Sequence, residues 1–204
     1  AMKRARITYH PAMAEAARDP SDNSRPARHA GKAASRIAIL EAARRVATRD
    51  GARDMSLRGV AAEAGFAPAG LYGYFRSKDE LLLALAADDL SQLARVMREA
   101  GGLKGAAAAA LTLLQQAETM AAASAALPKS GGGDAERLFN GRLIAALRAL
   151  SEASGLPADS RDSQCDVVLV AAALTGLALL GRSGRLAALG FAPEEILTRL
   201  NGRF

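Results

Sequence analysis

The chain has 204 residues, 50% hydrophobic and 24% charged, with no tryptophan and no alternating strand pattern, so we expect an all-α protein with a sizeable core. Its formal charge of +6 lies within residues 1–80, where 15 Lys and Arg face 9 Asp and Glu, which favours contact of that end with a polyanion. The single cysteine excludes a disulfide within the chain, and residues 1–34 lack an apolar signal segment; both predict a cytoplasmic protein.

The chain begins with a segment that lacks any helical pattern. Residues 1–34 are polar, contain three prolines and show no periodicity, which predicts a disordered basic arm. Apolar residues at helical spacing follow, and they predict a first helix from about Ser35 to a stop at Gly51.

Two short helices are predicted next. Ser56 is a good N-cap for a helix that ends at Gly65, and Pro68 lies where a proline in the first turn is tolerated. Residues 35–80 are therefore predicted to form one small helical domain.

A capping box opens the rest of the chain. Ser77 is followed three residues later by Glu80, which predicts the start of a long helix that ends near Gly101. Residues 81–204 are predicted to be helical throughout, apart from a flexible loop at 129–133. Further helices are predicted over about Leu103 to Ala126, Ala135 to Ser154 and Asp162 to Arg185, and from Pro193 onward.

One of these helices is unusually apolar. The run from Val167 to Gly181 contains 15 uncharged residues, whereas a membrane span needs roughly 20, so we predict a buried helix. Cys165, near its start, is predicted to be a small buried packing residue, because no basic neighbour would lower the pKa of its thiol.

Three residues in the second and third helices have the spacing of a helix-turn-helix unit. Where two short helices cross, the first needs a small residue, the turn needs a glycine and the second helix needs a large apolar residue to fill the shared core. Ala61, Gly65 and Leu71 meet these needs. In such a unit the second helix enters the DNA major groove.

The surrounding sequence resembles the TetR/AcrR-like family of bacterial transcriptional regulators over roughly residues 35–85. The resemblance is carried by the run from Ser56 to Gly65, by Leu71-Tyr72-Gly73-Tyr74-Phe75 and by Ser77-Lys78-Asp79-Glu80-Leu81-Leu82. It implies an N-terminal three-helix helix-turn-helix DNA-binding domain joined to a C-terminal helical domain for ligand binding and dimerisation. The implied partners are double-stranded DNA, a second copy of the chain and an unknown small-molecule effector.

The resemblance also implies residue roles at the DNA. Ser56 would donate to a phosphate, Arg58 would follow it on the exposed face, Tyr72 and Tyr74 would reach the backbone or base edges, and Lys78 would contact a phosphate. The alternatives are that the tyrosines only pack and that the two cations are ordinary solvated charges. The segment expected to face the groove consists of Ala67, Pro68, Ala69, Gly70 and Gly73.

That segment departs from the family pattern. Ala67 replaces a common serine, Gly70 a frequent threonine and Gly73 a frequent histidine or arginine. Direct recognition by polar side chains is therefore expected to be sparse. Specificity is expected from close backbone approach, from thymine-methyl contact by Ala69 or from DNA shape.

An enzyme is not expected. Both histidines, His10 and His29, lie in the predicted arm, so the folded part has no imidazole base, and the single cysteine leaves no zinc site of the His and Cys type. We expect no cofactor and no metal.

The resemblance implies a ligand pocket among the helices that follow residue 81. With few aromatic residues there, we expect an uncharged or weakly polar, largely apolar effector. The alternative is that the polar residues in this set are merely exposed. The candidate pocket residues are Met97, Thr112, Gln115, Gln116, Thr119, Met120 and Asn140.

The last two long helices are the candidates for self-association, because the second is too apolar to expose a whole side to water. The alternative is burial within the subunit. The candidate interface residues are Phe139, Leu143, Leu147, Val168, Ala172, Thr175 and Leu179.

Together these features predict a homodimeric repressor that an effector releases from a palindromic operator. The alternative is a dimeric helical protein-interaction module of the same fold that lacks regulated, sequence-specific DNA binding.

Overall fold

The computed structural model describes residues 24–116, 133–157 and 159–202, and in these ranges the chain is helical without strands, as predicted. The compact unit begins at Ile39. The helices are α1 (Ser24–Asp50), α2 (Leu57–Glu63), α3 (Pro68–Leu71), α4 (Lys78–Glu99), α5 (Gly102–Gln116), α6 (Asp134–Ser154), α7 (Arg161–Arg182), α8 (Arg185–Ala188) and α9 (Pro193–Asn201).

The first helix begins earlier than predicted. It starts at Ser24 rather than near Ser35, so residues 24–34 are helical and not part of a disordered arm. Pro26 lies in the first turn, where a proline is tolerated, and the alanine-rich residues after it favour helix. The rest of the predicted arm lies outside the described residues.

The helices up to the start of α4 share one cluster of buried side chains. Leu71 of α3 and Phe75 after it are fully buried and fill the space between α1 and α2. The cluster extends to Leu85, in the first turns of α4. Apart from the helical residues 24–34, the predicted division into an arm and two domains stays a prediction.

Helix α4 begins with the predicted N-cap. The Ser77 hydroxyl oxygen accepts from the backbone N–H of Glu80 at 3.1 Å. The Glu80 carboxylate accepts at 2.7 Å from the N–H of Arg76, one residue before the cap, so the second half of the capping box is shifted by one position.

A second buried cluster lies among α4 to α9. Helix α4 continues into it through Ala86, Leu90 and Met97, and so contributes to both clusters. The predicted helix through Ala126 is described as far as Gln116; its remainder lies outside the described residues.

Helix α7 has one buried and one exposed apolar face. Val170 and Leu174 belong to the second cluster, whereas Val168, Leu169 and Leu179 are exposed, so the prediction of a buried helix is wrong for that side. Among the described helices α7 is the one long and apolar enough to cross a membrane by length and composition alone. It ends at Arg182, before the predicted Arg185, and Gly184 with φ +70° separates it from α8.

Candidate nucleic-acid interface

The turn between α2 and α3 has the predicted steric arrangement. Ala61 is fully buried and its carbonyl oxygen accepts from the N–H of Phe66 at 2.8 Å. Gly65 has φ +72°, a backbone conformation that favours glycine, although a Cβ there would meet no atom within 4 Å. Leu71 closes the arrangement from α3 as a fully buried side chain, which confirms the predicted packing of the three residues.

The opposite side of this segment is exposed and consists of small residues. Ala67, Pro68, Ala69, Gly70 and Gly73 are all exposed. Helix α3 is only four residues long, with Pro68 as its first residue, and no side chain caps it at Ala67. Because these side chains are small, the backbone can approach a binding partner closely.

The two tyrosines of this segment have different surroundings. Tyr72 is 50% exposed. Tyr74 is half-buried, and its ring packs edge-to-face on Phe66 with centroids 6.0 Å apart and an interplanar angle of 79°. Tyr72 is therefore available to a ligand, whereas the ring of Tyr74 also stabilises the α2–α3 unit.

Exposed polar residues precede and follow the small-residue segment in the chain. Ser56 accepts from the N–H of Gly59 at 3.1 Å, which leaves its own hydroxyl hydrogen free to donate. Arg53, Arg58 and Arg76 are exposed, and their side chains form no ion pair within the part of the chain that the structure describes. Sequence reasoning missed Arg53 and Arg76, although both lie in connections that flank the motif.

Lys78 makes a contact that the sequence did not predict. Its ammonium donates to the carbonyl oxygen of Arg53, between α1 and α2. The side chain is half-buried as a result. Lys78 therefore connects the start of α4 to the α1–α2 turn, and an ammonium with three N–H groups retains donors for a second acceptor.

Other cations of this part of the chain are already paired. Glu63 of α2 accepts from Arg45 at 2.7 Å and from Arg49 at 3.2 Å, and these hydrogen bonds lower the pKa of the Glu63 carboxyl. Arg49 also donates to Asp50 and lowers the pKa of that carboxyl. Arg53, Arg58 and Arg76, which lie before and after the small-residue segment in the chain, are thus exposed cations without an ion pair among the described residues.

The second cluster encloses a cavity of about 70 Å³. Its lining comes from α4 to α7 and is aliphatic except for Met97 and Thr175, without a charged residue. Pockets for small molecules usually measure roughly 300–1,000 Å³, so the cavity in this conformation holds only a few atoms.

Most predicted polar pocket residues lie elsewhere. Thr112, Gln116 and Asn140 are exposed and do not line the cavity, because they face the outer side of their helices. Gln115 is half-buried, with its amide nitrogen 3.4 Å from the point where a Cβ at Gly181 would lie. Thr119 and Met120 are outside the described residues, so of the seven predicted residues Met97 alone is placed at the cavity.

The predicted interface residues fall into three groups. Phe139 is 6% exposed and belongs to the core of its own subunit, which corrects its assignment to an interface. Leu147 is half-buried and lines the cavity. The exposed ones are Leu143, Val168, Ala172, Thr175 and Leu179, with Leu143 and Thr175 also at the rim of the cavity.

The exposed apolar face also includes residues outside this set. Ile144 of α6 and Leu169 and Leu180 of α7 belong to it, and an open groove of about 880 Å³ runs between the two helices. Cys165 lines this groove and is exposed, so its predicted burial is wrong; it lies in the first turns of α7, on the side that does not meet the core. Within the described residues no group of His, Cys, Asp and Glu is placed to hold a metal ion.

These features define a class of protein, namely all-α proteins that carry a helix-turn-helix unit in the N-terminal part of the chain. Residues 39–85 match the family described as "Bacterial regulatory proteins, tetR family". The match places the helix-turn-helix part of the chain with this family of regulators, as the sequence motifs indicated, and it covers less than a quarter of the 204 residues.

One relative matches over a short part of the chain. It is the HTH-type nicotine-responsive transcriptional repressor HdnoR of Paenarthrobacter nicotinovorans, 46% identical over 57 residues. The match covers 28% of this chain and 29% of the relative, so it concerns only a part of each protein.

Solved structures show the same fold over most of the chain. A TetR transcriptional regulator from Rhodococcus sp. RHA1 superposes with a TM-score of 0.64, at 20% identity, over 83% of this chain and 94% of its own. BioQ with its double-stranded DNA operator gives a TM-score of 0.55, at 22% identity, over 81% of this chain and 96% of its own. At these identities the likeness shows the fold alone.

Proposed function

We propose that the chain is a cytoplasmic, homodimeric repressor that binds a palindromic operator and is released from it by a small apolar effector. The observation that carries the proposal is the exposed segment from Ala67 to Gly73, held outward by the buried Ala61 and Leu71. A segment so placed, on a fold shared with a solved operator complex, is suited to the major groove.

Hydrogen bonds to the DNA backbone come from the groups around that segment. Ser56, Arg58 and Lys78 lie at the start of α2 and α4, and each has a donor available for a phosphate. Arg53 and Arg76 join them in the proposal, because both are exposed and without an ion pair among the described residues. Tyr72 supplies a hydroxyl close to the bases, and Tyr74 chiefly holds α3 in place.

Dimerisation is proposed through the exposed faces of α6 and α7. Ile144, Val168 and Leu169 expose aliphatic side chains on neighbouring helices, and a contiguous apolar surface of this kind marks an association site. Two copies of this face can form a four-helix interface about a two-fold axis. The symmetry would place two recognition segments on one palindromic site.

The dimer is tested with a charge on the exposed face. Leu169→Glu should convert the protein from a dimer to a monomer in light scattering, with its helical content unchanged, since the side chain is exposed in the subunit. Leu189→Glu is the matched control, because Leu189 is an exposed leucine outside α6 and α7. Dimers of equal stability for both variants would place the interface elsewhere.

The effector is proposed to enlarge the cavity between α4 and α7. Its aliphatic lining, without a charged residue among those described, favours an uncharged apolar molecule. Helix α4 connects the proposed DNA-binding surface to the cavity. It begins at Lys78, in the proposed DNA-binding part, and its residues Leu93 and Met97 line the cavity. A ligand that moves α4 would change the distance between the two recognition segments.

Sequence-specific binding is the central test. Genomic fragments are selected with the purified protein, and affinity for a selected fragment is compared with its scrambled sequence across a salt series. We expect a preference of about 10³-fold or more that persists as salt rises. The alternative function, a protein-interaction module without specific DNA binding, predicts that both affinities fall together with no preference at any salt.

A further inference from the structure

The surface that would face the bases contains almost no hydrogen-bonding side chain. Within the described segment from Phe66 to Phe75 only Tyr72 and Tyr74 carry one, and Tyr74 is half-buried with its ring on Phe66. The exposed positions other than Tyr72 are Ala67, Pro68, Ala69, Gly70 and Gly73.

The nearby cations do not belong to this surface. Arg58 lies on α2, Arg53 lies between α1 and α2, and Arg76 precedes α4, so all three are outside α3. Their guanidinium groups are suited to phosphates, which orient the protein on the duplex without identifying bases.

Base recognition in the major groove uses hydrogen bonds or contact with the thymine 5-methyl group. The methyl groups of Ala67 and Ala69 and the ring of Pro68 provide apolar contact only. A guanine N7 or O6 pressed against them would lose water without gaining a donor, which is unfavourable. A thymine methyl at the same place buries apolar surface on both sides.

We propose that α3 recognises its half-site chiefly through pyrimidine 5-methyl groups in contact with Ala67, Pro68 and Ala69, with Tyr72 as the single hydrogen-bonding specificity residue. This inference rests on the proposed function, because it concerns the chemistry by which the same segment selects DNA. It defines the ligand as a half-site with thymines opposite the α3 surface.

The test uses a duplex chosen from a random-sequence pool by the full-length protein. Each thymine of one half-site is replaced by deoxyuridine, which removes only the 5-methyl group. Affinity should fall about fourfold for each methyl that contacts the protein. In two further duplexes, a contacted T·A pair is replaced by a cytosine–guanine pair with or without a 5-methyl group on the cytosine. The protein should bind the methylated duplex more tightly.

A second duplex separates methyl contact from hydrogen bonding. Substitution of 7-deazapurines removes the N7 acceptors, and affinity should change at no more than the base pair next to Tyr72. Loss of affinity on 7-deazapurine duplexes, combined with equal affinity for thymine and uracil, overturns the inference. Specific binding that is insensitive to both replacements also overturns it, since recognition then depends on DNA shape.

A protein variant assigns the methyl contact to a residue. Ala69→Gly should abolish the loss caused by deoxyuridine at one position, whereas Ala62→Gly, at an exposed alanine of α2, should keep it. The deoxyuridine measurement on the unaltered protein stands even where a variant folds poorly. If the protein selects no sequence from the pool, that result contradicts the proposed function itself. It differs from the result in which a sequence is selected but deoxyuridine has no effect, which contradicts only the methyl contact.

Discussion

The guanidinium of Arg44 on α1 forms an ion pair with the buried carboxylate of Asp89 on α4. Arg44 also donates to Asp88 at 2.6 Å. Burial opposes the charge of Arg44, but its hydrogen bonds to Asp89 and Asp88 outweigh that cost and raise its pKa. The pair connects the helix-turn-helix part of the molecule to the helix that continues into the second cluster.

Loss of Arg44 should therefore destabilise the protein. Arg44→Met leaves the buried carboxylate without its guanidinium, and we expect the free energy of unfolding to fall by about 2–3 kcal/mol in urea denaturation. Arg45→Met is the matched control on the same helix, because its pair with Glu63 is exposed, and it should cost less than about 1 kcal/mol. An equal decrease in the free energy of unfolding for the two variants would show that the buried pair stabilises the protein no more than the exposed one.

The turn at Gly65 predicts a purely conformational effect. Gly65→Ala keeps φ near +72° only under strain, so the free energy of unfolding should fall by about 1–2 kcal/mol although no atom obstructs the new methyl group. Gly141→Ala, within α6 and equally unobstructed, should be neutral or stabilise by about 0.5–1 kcal/mol. Opposite signs for two equally open sites would identify backbone conformation as the cause.

The two tyrosines should separate binding from stability. Tyr72→Ala should weaken operator binding by about 1–3 kcal/mol while the unfolding midpoint stays constant, since the side chain is half exposed. Tyr74→Ala should lower stability through the lost contact with Phe66. Tyr9→Ala, in the predicted arm, should change neither; an equal loss of affinity for Tyr9→Ala and Tyr72→Ala would assign the contact to that segment instead.

Lys78 should affect both DNA binding and stability. Lys78→Ala should remove the proposed phosphate contact, so the slope of log K against log salt should become shallower by about 0.9 for all sequences alike. The lost donor to the Arg53 carbonyl should also lower the free energy of unfolding by about 1 kcal/mol. Arg76→Ala, at an exposed cation, should change the slope alone, and an unchanged slope for Lys78→Ala would contradict its contact with DNA.

The sequence predicted the helix-turn-helix unit well because its constraints are local. A small residue, a glycine turn and a buried leucine follow from the geometry of two adjacent helices, and the structure places all three as expected. The Lys78–Arg53 contact depends on two segments 25 residues apart that no periodicity relates. It could not be predicted without coordinates.

The second half of the chain was less predictable for a related reason. Phe139 and Leu143 lie on the same predicted apolar stripe of α6. Phe139 is nevertheless buried in the core, whereas Leu143 is exposed. The apolar stripe is wider than the part of the helix that packs in the core. The sequence alone therefore does not show which apolar side chains pack inside the subunit and which stay exposed. That choice is made by the packing of α4 against α6.

Glu63 predicts a pH dependence of stability with a definite sign. Its carboxyl has a lowered pKa in the folded state, chiefly because Arg45 and then Arg49 donate to it. The stabilisation is therefore complete above the unfolded pKa of about 4.3 and is lost as the pH falls through the lower folded value. The difference in free energy of unfolding between the wild type and Glu63→Gln should be constant above about pH 5 and shrink below about pH 4. Urea unfolding over a pH series measures it, and the difference should be smaller in 1 M salt because the pairs are exposed. A difference that grows as the pH falls would contradict the hydrogen bonds from Arg45 and Arg49.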